Sequence, residues 1–314
     1  MQCVILSHAG WRSVLIWEKM KPMGQIRGSR ARWSGAGGVQ ALLLVVAVAG
    51  VPTPAIAAEP TTAARVAPAD GSDAAKSPTV EVPAGEFWMG CNEASDAQCA
   101  DPEKPGRKVV VGAYRIDRTE VTVARYHGCV AAGACTPAAV APECNADAVG
   151  MAAHPINCVD WQQATTFCAW AGQRLPTEAE WEKAARGTDG RKFPWGNTDL
   201  PAAGKVANIC DVACDLQWKL ADYADGFAAT APVGTYPAGA SPYGAADMGG
   251  NVWEWTADAY GDTPARVIRG GSWNNQARNA RTSMRSGFTA SALAPTVGFR
   301  CVSVPDLPET GGAK

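Results

Sequence analysis

The stretch Arg174-Leu-Pro-Thr-Glu-Ala-Glu-Trp-Glu182 decides the fold of this chain. Thr177 is suited to cap a helix N-terminus, and Glu180, three residues later, can complete a capping box with it. The helical pattern ends at Arg186 and Gly187, a basic residue followed by a residue that readily terminates helices. The sequence therefore predicts a short helix over residues 177–187.

The flanking segments predict a mixed chain with little regular structure. Capping residues and apolar spacing predict helices over residues 122–132 and 160–172. Alternation around a Pro-x-Gly turn predicts an opening β-hairpin over residues 81–90, and residues 109–116 have the pattern of a further strand. After residue 197 the chain is rich in Gly, Asn, Asp and Trp with little helical periodicity, so we expect long ordered loops.

The N-terminal region has the pattern of an export signal. Residues 1–57 contain six Lys and Arg residues against one acidic residue, an apolar run at 39–51, and Ala55-Ile-Ala57 at their end. This pattern predicts a secretory signal peptide, with an uncleaved membrane anchor as the alternative. We therefore expect an exported protein of the periplasm or the extracellular space.

Composition divides the rest of the chain into three parts. Residues 58–78, rich in Ala, Pro, Ser and Asp, are predicted to be a disordered linker, residues 79–305 a single domain, and residues 306–314 a flexible tail. Without the leader, 22 basic and 29 acidic residues leave a formal charge of −7 and no basic stripe. This charge argues against a nucleic-acid or anionic-membrane partner, and we expect a monomer.

Ten cysteines remain after removal of the leader. Their even number and the predicted export indicate disulfides rather than free thiols. Local pairs Cys91–Cys99, Cys129–Cys135 and Cys210–Cys214 would each close a short loop, but spacing alone does not select among the possible pairings. A metal site at Cys210 and Cys214 is disfavoured because no second thiol pair or histidine lies nearby in the sequence.

Four segments together carry a resemblance to a known family. The helix-forming stretch at residues 174–182 occurs with Gly250-Asn-Val-Trp-Glu-Trp255, Arg269-Gly-Gly-Ser-Trp273 and Gly298-Phe-Arg-Cys-Val302. In these segments the chain resembles the formylglycine-generating enzyme family, also called the sulfatase-modifying-factor domain. The resemblance extends over residues 82–301. It implies an α+β, C-type-lectin-like fold with low regular secondary structure, stabilised by disulfides and calcium, and it implies a disulfide between Cys168 and Cys301.

Two calcium sites are also implied by the resemblance. The first site takes the side chains of Asn208 and Asp225, with carbonyl groups supplied by Ile209 and Phe227. The second site takes the following four residues: Glu120, Asp247, Gly250 and Val252. Calcium prefers several oxygen ligands at once, which these residue types supply. The alternative is that Asn208 and Asp225 only form turns by bonding to their own backbone.

The catalytic cysteines of formylglycine-generating enzymes have no counterpart in this sequence. The family binds copper(I) between two cysteines shortly after Gly-Gly-Ser, because soft thiolates select copper(I). Here Asn275 and Ala280 stand at those two positions, although Ser272 and Trp253 are retained. We therefore consider copper binding, and activation of sulfatases carrying a Cys-x-Pro-x-Arg motif, improbable. The groove residues that the resemblance implies are Trp253, Ser272, Asn275, Ala280, Arg281 and Thr296, the last of which replaces a usual Asn.

Two further features remain open at this stage. Some relatives use nonheme iron held by histidines, but the exported chain offers only His127 and His154, which we interpret as structural. A set of arginines near the implied groove could bind carboxylates or phosphates of a ligand, or could pair with acidic residues such as Glu254. These arginines are Arg266, Arg269, Arg278, Arg281, Arg285 and Arg300.

These observations lead to one function and one alternative. The sequence predicts an exported domain without the copper site that binds a peptide or a small-molecule ligand, with calcium as its cofactor. The alternative is a nonheme-iron or other metal-dependent oxidoreductase that modifies a peptide or a secreted metabolite.

Overall fold

The computed structural model describes residues 77–93 and 96–303, which all lie within one compact unit of the chain. The predicted signal peptide, the predicted linker up to residue 76 and the predicted tail at 306–314 lie outside the described residues. Within the described part, no helix is long and apolar enough to cross a membrane.

The three predicted helices are confirmed. They are α1 (Val123–Ala131), α2 (Trp161–Trp170) and α3 (Glu178–Arg186). Thr177 accepts a hydrogen bond from the backbone N–H of Glu180, whose side chain accepts from the backbone N–H of Thr177 at 2.8 Å. This capping box satisfies donors that a helix N-terminus otherwise leaves unpaired, which is why local sequence was sufficient to predict it.

In the described residues, nine short strands form three sheets. The first sheet contains β1 (Thr79–Val82), β4 (Tyr114–Asp117) and β9 (Val302–Ser303), in the order β1-β4-β9. The second pairs β2 (Gly85–Met89) with β3 (Arg107–Val111). The third contains β5 (Trp253–Ala259), β6 (Ala265–Arg269), β7 (Arg285–Thr289) and β8 (Val297–Gly298), in the order β7-β6-β5-β8.

The predicted opening hairpin over residues 81–90 is wrong. Strands β1 and β2 flank the expected turn, but β1 pairs antiparallel with β4 while β2 pairs antiparallel with β3. The strand predicted over residues 109–116 is likewise two strands, interrupted at Gly112 and belonging to different sheets. Alternating apolar residues identify a strand, but the partner of that strand depends on contacts that are distant in sequence.

The third sheet was not predicted from the sequence. The long loops that were predicted after residue 197 are confirmed. Among the regular elements of the described chain, only the 3₁₀ turn Pro237–Gly239 lies between α3 and β5. This long connection carries Asn208, Asp211, Asp225 and Asp247, which belong to the two clusters of polar residues discussed below. The result is a sheet-rich α+β fold with three short helices, and its C-type-lectin-like character stays a prediction.

Buried aromatic residues and disulfides hold these elements together. Tyr126 of α1, Phe167 of α2 and Phe299 form one packed group, with ring centroids 5.4–6.5 Å apart. All ten cysteines of the described chain form disulfides, including the three local pairs and the Cys168–Cys301 pair described above. The fifth disulfide, between Cys144 and Cys158, was not anticipated.

Candidate functional site

A group of buried acidic side chains surrounds the guanidinium of Arg300, and we call it the Asp247 cluster: Glu120, Asp247, Glu254 and Arg300. Arg300 donates two hydrogen bonds of 2.7 Å to the two carboxylate oxygens of Glu254. Glu120 and Asp247 also interact electrostatically with this guanidinium. Three carboxyl groups therefore face one guanidinium in a buried environment, and the formal charge would be −2 with all three ionised.

The Asp247 cluster has an unsatisfied acceptor. Oε2 of Glu120 is buried and accepts no hydrogen bond from a donor group among the described residues, although the carboxyl group contacts that of Asp247. Burial, reinforced by the charge of Asp247, raises the pKa of Glu120 well above its usual range, and burial also raises the pKa of Asp247. Gly250 and Val252, whose carbonyls the resemblance assigned to this site, lie in the buried turn that follows Asp247. A divalent cation would neutralise the excess charge of this cluster.

A second group, the Asp225 cluster, contains Asn208, Asp211 and Asp225. Oδ1 of Asn208 is buried and has no hydrogen-bond partner. Asp225 accepts hydrogen bonds from the backbone N–H groups of Ile209 at 3.1 Å and Phe227 at 2.9 Å. Burial raises the pKa of Asp225 to about 6, and the charge of Asp211 adds to the rise. Asp225 therefore bonds to nearby backbone, as expected if it only forms a turn. The Asn208 oxygen without a hydrogen-bond partner is not explained in this way.

Asn251 connects the two clusters, and sequence reasoning missed it. Its side-chain Nδ2 donates to Oε1 of Glu120 at 2.9 Å, and its Oδ1 accepts from Nδ2 of Asn208 at 3.2 Å. The backbone is correspondingly tight: a Cβ at Gly250 would lie 2.3 Å from the carbonyl oxygen of Asn208. In the sequence, Asn251 lies within the family segment at residues 250–255. It stands between the two residues whose carbonyl groups the resemblance assigns to calcium.

Both clusters fit a hard cation such as calcium. Each contains a buried oxygen acceptor without a partner. The Asp247 cluster also contains more carboxylates than cationic groups. Carboxylate and amide oxygens are the ligands that calcium prefers.

The first of the two positions that the resemblance assigns to copper ligands lies in a further group of residues, the Asn275 face, which we define as Ser272, Trp273, Asn274 and Asn275. Oδ1 of Asn275 accepts hydrogen bonds from the backbone N–H of Ser272 at 3.1 Å and from its hydroxyl at 2.9 Å. Asn275 thus caps its own turn rather than presenting a free ligand atom.

The Asn275 face is continuous with two further predicted groove residues. Trp273 donates its ring N–H to the carbonyl oxygen of Pro295 at 3.3 Å. The next residue, Thr296, accepts a 2.8 Å hydrogen bond at its carbonyl from the backbone N–H of Trp253. The structure therefore brings Ser272, Trp253 and Thr296 into one region with Trp273.

Ala280 and Arg281 do not belong to an open groove. Ala280 is buried at the end of the 3₁₀ turn Ala277–Ala280. Arg281 is also buried, and its guanidinium donates to Asp96 at 2.9 Å and to the two carboxylate oxygens of Glu103 at 2.8 and 2.5 Å. Arg281 therefore anchors the loop that contains the Cys91–Cys99 disulfide and is not available to a ligand.

The other arginines mostly follow the same pattern of pairing with acidic residues. Arg269 pairs with Glu182, and Arg300 pairs with Glu254. Arg285 binds both carboxylate oxygens of Glu178. Of the remaining two, Arg266 stacks over the Trp161 ring at 4.0 Å, and Arg278 is exposed. The interpretation that these arginines pair with acidic residues is therefore confirmed for Arg269, Arg281, Arg285 and Arg300.

The two histidines do not form a shared site. His154 is buried, and its Nδ1 lies 3.0 Å from the hydroxyl of Thr230. Desolvation lowers the pKa of His154, so its neutral form is favoured. His127 is exposed on α1. Among the described residues, Cys91, Asp96 and Cys99 form the only group of three His, Cys, Asp or Glu side chains whose ligand atoms all lie within 4.8 Å of one another, and their two sulfurs form a disulfide.

These features define a disulfide-rich α+β domain with two buried oxygen-lined clusters and a site from which the catalytic thiols are missing. The family model for the sulfatase-modifying factor enzyme 1-like domain matches residues 65–304. The chain belongs to this family.

Individual relatives agree with that assignment. The formylglycine-generating enzyme of Streptomyces coelicolor is 33% identical over 329 residues, covering 84% of this chain and 98% of the relative. A protein of Bos taurus named inactive C-alpha-formylglycine-generating enzyme 2 is 40% identical over 163 residues, covering 49% of this chain and 52% of the relative. The structure of PvdO from Pseudomonas aeruginosa superposes with a TM-score of 0.62 at 24% identity, covering 73% and 95% of the two chains, and supports the fold.

Proposed function

We propose that this chain is an exported, calcium-binding member of the family that binds a peptide or small-molecule ligand and does not generate formylglycine. One observation carries the proposal: Asn275 and Ala280 stand where the family mechanism needs two thiolates. The Asn275 amide is occupied by Ser272, and Ala280 is buried. Neither side chain can bind copper(I) or act as a redox thiol.

The cysteines elsewhere offer no substitute for the missing pair. Every cysteine of the described chain is in a disulfide, so none is available as a thiolate ligand. Disulfides in this number also support residence in an oxidising compartment, the periplasm or the outside of the cell. A relative named as inactive in the family supports the idea that this fold persists without the reaction.

Calcium is supported by the chemistry of the two buried clusters. The unpaired oxygens of Glu120 and Asn208 are each costly when buried. A cation bound in each cluster would provide the missing partner. Once calcium is bound, the clusters would hold the long loop between α3 and β5 in place. Cys210 and Trp218 of that loop donate hydrogen bonds to the carbonyl oxygens of Asn275 and Asn274, so calcium would stabilise the ligand surface without taking part in chemistry.

The decisive experiment combines metal analysis with an activity assay. Purified protein is analysed for calcium, copper and iron, and is incubated with a Cys-x-Pro-x-Arg peptide, copper and a thiol reductant. We expect calcium, no stoichiometric copper or iron, and no aldehyde above background. A thermal shift in calcium against chelator should correspond to roughly 4 kcal/mol at a thousandfold excess over the dissociation constant.

Controls separate the possible outcomes. The double substitution Asn275→Cys with Ala280→Cys should create copper(I) affinity, since it restores two thiols at the family positions. Binding is measured with the same peptide carrying Ser in place of Cys, so that no chemistry can consume it. Aldehyde production by the unaltered chain would contradict the proposal, and stoichiometric iron would favour the oxidoreductase alternative.

A further inference from the structure

The Asp225 cluster contains a carboxyl group that the resemblance did not assign to calcium, that of Asp211. Its side chain is buried, with 1% of its surface exposed. Oδ2 of Asp211 accepts a hydrogen bond of 2.7 Å from the backbone N–H of Asp225, and Oδ1 accepts one of 2.8 Å from Ala213. A carboxylate oxygen has more than one lone pair, so both oxygens retain acceptor capacity.

Asp211 and Asp225 form a buried pair of like charges. Among residues 77–93 and 96–303, the salt bridges connect other acidic residues to Lys or Arg, and none includes Asp211 or Asp225. Two neighbouring carboxylates without a cation repel each other and are poorly solvated when buried. A cation bound between them would relieve this repulsion.

An independent feature indicates where a cation would lie. Oδ1 of Asn208 is buried without a partner, and the residue itself is 2% exposed. Its amide nitrogen is already used, since it donates to Ala229 and to Asn251. The orientation of this side chain is therefore fixed by two donor contacts, while its acceptor has no protein donor.

We propose that Asp211 is a further acidic residue of the calcium site formed by Asn208 and Asp225. It adds a negative charge and a carboxylate oxygen to the site, and so raises the affinity for a divalent cation. This inference rests on the proposed function, in which the domain binds calcium.

The position of Asp211 also connects this site to the Asn275 face. Asp211 lies inside the loop closed by the Cys210–Cys214 disulfide. The backbone N–H of Cys210 donates to the carbonyl oxygen of Asn275 at 2.9 Å. Trp218, which follows this disulfide loop in the chain, donates its ring N–H to the carbonyl oxygen of Asn274 at 3.0 Å. Calcium held by Asp211 would therefore fix the loop that lies against the Asn275 face.

The test is a calcium titration by calorimetry on chelator-stripped protein, comparing the wild type with Asp211→Asn. The matched control is Asp215→Asn, an identical chemical change at an exposed position that directly follows Cys214. We expect Asp211→Asn to weaken one class of calcium site by about tenfold or more, because affinity depends on the number of charged ligands. The control is expected to keep the wild-type affinity.

A second measurement distinguishes a calcium ligand from a residue that merely supports the loop. Without calcium, Asp211→Asn removes repulsion with Asp225 but also loses one of the two backbone hydrogen bonds that the carboxylate accepts, so any loss of melting temperature should be smaller than the loss in calcium. With saturating calcium, the same variant should melt below the wild type. An equal loss of melting temperature in both conditions would show that Asp211 is only structural and would overturn the inference.

The outcomes also separate this inference from the proposed function. If the wild type binds calcium and Asp211→Asn binds it equally well, the role of Asp211 is refuted while the proposed function stands. If the wild type binds no calcium, the calcium part of the proposed function and this inference are both refuted. Formylglycine production would refute the proposed function alone, because the calcium titration does not depend on it.

Discussion

Replacing Cys168 and Cys301 together by alanine is expected to lower the free energy of unfolding by about 5 kcal/mol. These cysteines join α2 to the residue that precedes β9, and they are separated by 133 positions in the sequence. In the chain-entropy account, the disulfide stabilises the fold by restricting the unfolded chain, and the effect grows with the logarithm of the closed loop. Cys168 and Cys301 are both fully buried, so the bridge also occupies space in the core.

The Cys210–Cys214 disulfide provides a control within the same protein. It spans only 4 positions, for which the same relation gives about 2 kcal/mol. For a domain of this size, each kcal/mol corresponds to about 2–4 °C in melting temperature. The long-range variant should therefore melt about 10–20 °C below the wild type, and the control variant about 4–8 °C below it.

Urea unfolding followed by circular dichroism measures the two differences in free energy. Mass mapping of nonreduced peptides must first show that the other four disulfides are intact in each variant. Equal destabilisation by the two double substitutions would refute the reasoning, because loop length would then not be the controlling quantity. A stoichiometric alkylatable thiol at Cys168 or Cys301 in the wild type would also refute it.

Two other predictions follow from the candidate calcium sites. In chelator, the melting temperature of the wild type relative to Asp225→Asn should rise as the pH falls from 7 to about 5. The folded-state pKa of Asp225 is about 6 against 3.8 unperturbed, so protonation relieves the destabilisation present above pH 6, and the comparison removes the opposite contribution of His154. A fall of this difference over the same range would contradict the prediction. Gly250→Ala should reduce stability and calcium response, since its Cβ would lie 2.3 Å from a backbone carbonyl at a φ of +101°. The control Gly112→Ala has open space at its Cβ and should change either measurement little, so equal effects of the two substitutions would exclude the steric explanation.

Local sequence was sufficient for the helices and for the family. The caps at Thr122, Asp160 and Thr177 use side chains within three residues of the backbone groups they satisfy, so they can be recognised without knowledge of the rest of the fold. The family resemblance likewise rested on contiguous segments. Cysteine parity and export favoured disulfides, but the pairing of Cys168 with Cys301 needed the resemblance, because spacing alone selects no partner.

The candidate site depended on the tertiary structure to a greater degree. Arg281 looked like a groove residue in sequence, yet its acidic partners Asp96 and Glu103 lie more than 170 positions away. Asn251 reaches Glu120 across 131 positions, which no local pattern can reveal. Pairing of β1 with β4 rather than β2 has the same origin, because a strand's alternation identifies its buried face but not its neighbour.

The sequence, through its family resemblance, therefore identified Asn275 and Ala280 as the residues at the positions of the family's two thiols. Only the tertiary structure revealed that Asp211 and Asp225 share one buried environment without a cationic partner, because their 14-residue separation is closed by the folding of an irregular loop. The physical reason is that residue chemistry is local, whereas burial and charge balance are properties of all the groups that the fold brings together.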